Sequence, residues 1–103
     1  MGTPTIVCLC GSTKFRDAFF KANFDETMAG RIVLSVGFFH HIESYTPTLQ
    51  EKEALDNLHL RKIELADEVL ILNVDGYIGI STSRELNYAA GLGKRVRYLE
   101  PIS

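Results

Sequence analysis

Four short apolar runs alternate with helical segments along this chain, and that alternation constrains the fold more than any other feature. Residues 5–10 (TIVCLC), 31–36 (RIVLSV), 68–74 (EVLILNV) and 95–99 (RVRYL) read as strands. The first and third are apolar almost throughout, which suits strands buried on both faces of a parallel sheet. Between them, residues 13–30 predict a helix with Phe15, Ala18, Phe19 and Ala22 in one narrow arc and a stop at Gly30. Residues 48–66 predict a charged helix with Leu55, Leu58, Ile63 and Ala66 as its inward positions, and residues 82–92 a third, stopped at Gly93. Residues 37–47 carry no sustained period and read as a loop.

A βαβαβαβ order with short loops requires parallel strands and right-handed crossovers. The expected fold class is therefore α/β. It is a small three-layer α/β/α sandwich around a four-stranded parallel sheet, flavodoxin- or Rossmann-like, with strand order 2-1-3-4. In such sheets ligands bind outside the carboxyl ends of the strands, where the strand order reverses. Segments 11–14, 37–45 and 75–85 fall at that edge.

Composition removes other classes. A length of 103 residues fits one domain, 1–103, whose small core gains from a partner subunit. Eleven basic against thirteen acidic residues leave no basic field for a nucleic-acid polymer. No apolar run approaches the roughly 20 residues of a membrane span, and no signal peptide is legible, so no membrane partner is expected. Cys8 and Cys10, two apart on a strand, face one side and do not bridge easily. They read as reduced core residues of a cytoplasmic protein. No second cysteine pair exists, and His40, His41 and His59 lack ligand spacing, so neither a metal site nor a cofactor is expected.

Gly11-Ser12-Thr13-Lys14 follows the first strand and opens the first helix. Free amides there suit a phosphate, with Lys14 and Arg16 adding positive charge; equally, Ser12 or Thr13 caps the helix. Neither a G-x-x-x-x-G-K-[ST] loop nor a G-x-G-x-x-G turn after the first strand is present. Asp75 ends the third strand as a receiver's phospho-acceptor does, but Cys10-Gly11 stands where a receiver needs carboxylates. Thr82-Ser83-Arg84-Glu85 fits a capping box with Thr82 as N-cap. It equally places a carboxylate at the crevice, where the helix dipole keeps Glu85 ionised as a nucleophile.

The segment from Ile63 to Lys94 resembles the nucleoside 2-deoxyribosyltransferase family. An Ala66-Asp67 helix end leads into the apolar strand Glu68-Val69-Leu70-Ile71-Leu72-Asn73. The loop Asp75-Gly76-Tyr77-Ile78-Gly79 follows, and then a helix carrying Ser81-Thr82-Ser83-Arg84-Glu85-Leu86 and Ala89. Cys10-Gly11-Ser12 is similar to the C-G-S of the related 2′-deoxynucleoside 5′-monophosphate N-glycosidases. The resemblance implies a single domain of this family, 1–103, that cleaves the N-glycosidic bond of a (deoxy)nucleoside or its 5′-monophosphate. It makes Glu85 the nucleophile, and Gly11, Ser12 and the neighbouring Thr13, Lys14 and Arg16 the sugar and phosphate loop. Ser81, Thr82 and Ser83 become further phosphate contacts, with Asp75 and Gly79 lining the site. His59 stands where the family usually has an aspartate and is the candidate partner of the leaving base. A second base as acceptor makes a transferase, and water makes a hydrolase. The alternative is a nucleotide-binding or sensing module with no turnover. Phe20 and Phe24, opposite the inward arc of the first helix, predict a homodimer or larger homo-oligomer, unless the loop 37–45 folds over them.

Overall fold

The computed structural model describes residues 2–37 and 45–102. Strands β1 (Ile6–Cys10), β2 (Ile32–Leu34), β3 (Glu68–Ile71) and β4 (Arg95–Tyr98) form one parallel sheet in the order β2-β1-β3-β4. Helices α1 (Arg16–Met28), α2 (Leu49–Leu65) and α3 (Ile80–Gly91) make the connections. This is the expected Rossmann-like α/β architecture.

Strand pleating divides the core. Val7, Leu9, Leu70 and Leu72 pack with Phe19 and Ala22 of α1. Cys8, Cys10, Val69 and Ile71 point the other way and meet Leu60, Ile63, Ala66 and Ala89. So α1 covers one face and α2 with α3 the other, as right-handed crossovers impose on this strand order. Adjacent strands β1 and β3 thus send their chains to opposite faces, which opens a crevice at their carboxyl ends.

Arg97 of β4 lies on the amino-end side of the sheet and bridges Glu26 of α1 and Glu68 of β3. Its Nε donates to Glu68 Oε1 at 2.9 Å, and its terminal nitrogen pairs with Glu26. Arg31 joins the same two carboxylates at 3.5 and 3.8 Å. The cluster ties the last turn of α1 to β3 and β4.

Two helix starts and one helix face depart from expectation. Helix α1 begins at Arg16 rather than at residue 13, because a turn occupies residues 12–15: Phe15 N–H donates to the Ser12 carbonyl and Lys14 N–H to Ser12 Oγ. Helix α2 buries His59, Leu60 and Ile63, while Leu55 and Leu58 are 42% and 53% exposed. The inward stripe is therefore rotated from the leucine-rich arc. Its N-terminus is a full capping box, Thr48 with Glu51, which the sequence reading did not single out. Helix α3 begins at Ile80 with Gly79 as its extended N-cap and no side-chain cap. Thr82 is a buried residue of the first turn, so the expected Thr82–Glu85 capping box does not form. No helix among the described residues is long and apolar enough to cross a membrane.

Candidate active site

The early start of α3 moves Glu85 from the first turn into the second. There its side chain faces α2 and the end of β1, and it remains 14% exposed. Glu85 Oε1 lies 3.9 Å from His59 Nε2, and Cys10 is within hydrogen-bonding reach of the same carboxyl. Behind it, His59 Nε2 stands 3.6 Å from Cys8 Sγ and 3.6 Å from Cys10 Sγ. Both cysteines are fully buried. Glu85 alone of these four reaches the crevice, which is lined by Asp56, Leu60, Ser81, Arg84 and Glu85 and encloses about 210 Å³ counting its solvent-open part.

Burial sets the protonation of this group. It pushes the Glu85 carboxyl up to about 7, outweighing the attraction of His59. The dipole-held ionised carboxylate expected from the sequence is thus corrected: burial of this second-turn position costs the anion more than the helix end returns. Burial works against a charged His59 as well. The hydrogen bond and charge of Cys8 and the charge of Glu85 overcome it, and His59 is raised from its ordinary value. Within the thiol pair, the Cys10 hydrogen bond brings Cys8 down to about 5 and drives Cys10 up.

The first loop lies against the end of β3 on the α1 face. A Cβ at Gly11 would stand 3.0 Å from Leu72 Cβ and 3.3 Å from the Leu72 carbonyl oxygen, so a side chain there would have to push Leu72 aside by a few tenths of an ångström. Lys14 Nζ lies 3.8 Å over the Tyr77 ring, and Phe15 meets Tyr77 edge-on at 5.8 Å. The two loops at the strand-order reversal are thereby joined through Tyr77.

The expected residues separate into groups. Glu85 and Ser81 line the crevice, with His59 buried directly behind Glu85. Gly11, Ser12 and Lys14 form the adjoining turn, and Thr13 lies within it. Gly79 packs against Tyr77 and caps α3, and its carbonyl accepts the Ser83 N–H. Arg16 instead pairs with Asp17 at 3.7 Å and lies over Phe20 on the outer face of α1. Asp75 adopts a left-handed backbone with φ of 54° and gives its N–H to Glu100, on the β4 side. His40, His41 and the centre of loop 37–45 lie outside the described residues.

The Cys8, Cys10 and His59 cluster was missed in the sequence. Its signal was there: a Cys-x-Cys on one strand face, and a histidine four residues before the inward Ile63. Compared with models of known families and with curated proteins, the chain matches none.

Proposed function

We propose that this protein cleaves the N-glycosidic bond of a nucleoside or nucleoside 5′-monophosphate through Glu85, passing the sugar to water or to another base. The observation that carries the reading is Glu85 itself, a largely buried carboxyl beside His59 that lines the crevice and that burial pushes up to about 7.

In the proposed reaction the C1′–N bond breaks with its electron pair remaining on the base, which takes up a proton. The Glu85 carboxylate stabilises the oxocarbenium-like transition state and closes on C1′ as an ester. Water or a second base then attacks C1′ and displaces the carboxylate. His59 is a positioning residue in this scheme rather than a contact of the leaving base: it is 7% exposed and its Nε2 is engaged with the two sulfurs and Glu85. The first turn of α3, with no side-chain cap, supports a 5′-phosphate as part of the substrate. We further infer a homodimer through the outer face of α1, where Phe20 and Phe24 are 54% and 63% exposed.

The test is chromatography of free base released from a panel of nucleosides and their 5′-monophosphates, with a chelator present. Release from at least one monophosphate, lost in Glu85→Gln, is expected. Binding without release in the parent points to a sensing module and overturns the enzymatic reading.

A further inference from the structure

The two thiols and the imidazole behind Glu85 are one another's partners. Beyond His59 and the Glu85 carboxyl, the sulfurs reach carbonyl oxygens at 3.9 and 4.0 Å, those of Leu9 and Cys8. Small core positions of a parallel sheet are ordinarily filled by valine or alanine. Here two sulfurs leave the same face of the central strand and converge on one buried ring nitrogen.

We propose that Cys8, Cys10 and His59 form a binding site for a thiophilic divalent cation, Zn²⁺ foremost, with Glu85 closing the fourth position. The donor atoms lie within 4.8 Å of one another. With Zn–S near 2.3 Å and Zn–N about 2.0–2.1 Å, the N···S separations of 3.6 Å subtend about 112° at the ion, close to tetrahedral. The Glu85 oxygen, 3.9 Å from His59 Nε2, needs a side-chain adjustment of about half an ångström to complete the tetrahedron. Two sulfurs and an imidazole select zinc over the hard cations Mg²⁺ and Ca²⁺. Binding coordinates both sulfurs as thiolates, and the protons they carried pass to the buffer. The crevice edged by Asp56, Ser81, Arg84 and Glu85 is the entry path.

The same carboxylate cannot ligate zinc and attack a sugar. A bound ion therefore takes Glu85 out of reaction, so the site is an inhibitory one. That consequence rests on the glycosidase reading; the metal site does not.

The experiment titrates the chelator-treated protein with Co²⁺ alone, then displaces it with Zn²⁺. One ion per chain is expected, with the thiolate charge-transfer and visible bands of a tetrahedral S/N site, bleached by one equivalent of Zn²⁺. Cys8→Ala and Cys10→Ala, each checked for its fold by circular dichroism, should lose at least about a hundredfold in affinity, since even changes around metal ligands cost 10–100-fold. Glu85→Gln should keep the charge-transfer band and bind more weakly. Absence of the band in the parent protein overturns the site whatever the variants do, and so does a band that survives unaltered in Cys10→Ala. Bands without any base release leave the metal site standing and remove only the glycosidase.

Discussion

Replacing Glu85 by glutamine should make this protein more stable and less active at once. Burial lifts the Glu85 carboxyl from an ordinary 4.5 to about 7. Between those values the folded chain binds a proton that the unfolded chain has released, so stability falls as pH rises through the window and is level above it. At about 1.4 kcal/mol per pH unit the whole gap sets a ceiling of about 3 kcal/mol. Loss of the His59 attraction lowers the expected gain, leaving about 1–3 kcal/mol for Glu85→Gln at pH 8. For a domain of this size that is a rise on the order of 4–15 °C in melting temperature. His59, raised in the folded state, contributes a loss of the same sign above its ordinary value, and most of it is common to both proteins. The assay is thermal melting of parent and variant at pH 5 and pH 8 with chelator present. The variant should gain over the parent on going to the higher pH. A variant that is less stable at pH 8, or an advantage that does not change with pH, would show that burial does not strain this carboxyl.

Four other outcomes are expected. Thr48→Ala should cost about 1 kcal/mol by removing the capping box of α2, measured by urea melts; Thr82→Ala should act instead through the buried first turn of α3, and rescue of its stability by Val but not by Ser would confirm a packing role. Arg97→Met should destabilise by about 1–3 kcal/mol, because it removes the close partner of Glu26 and Glu68 and leaves them only the longer Arg31 and Arg95 contacts, and the same melts read it. Sedimentation at micromolar concentration should give a dimer that Phe24→Asp converts to monomer, and a monomeric parent removes the α1 interface.

The layers and the strand order were legible because central parallel strands must be apolar on both faces, and 5–10 and 68–74 leave no other reading. The starts of α1 and α3 were not. Thr48-x-x-Glu51 and Thr82-x-x-Glu85 carry the same pattern, yet only the first is a box, because Gly79 in extended conformation starts α3 two residues before Thr82. The inward face of α2 was misjudged for a related reason. Counting leucines favours Leu55 and Leu58, whereas the structure turns His59 inward, where Cys8, Cys10 and Glu85 replace the water it would lose. A buried polar group of this kind depends on the register between β1 and α2, which no local pattern encodes.

The central claim is that Glu85 attacks an anomeric carbon. Its most direct measurement is base release from nucleoside 5′-monophosphates, with intact-protein mass taken after acid quench of the same reactions. The account predicts free base, faster from a monophosphate than from its nucleoside, and a sugar-phosphate adduct that maps to Glu85 and is absent in Glu85→Gln. Free base released by Glu85→Gln at the parent rate would contradict it.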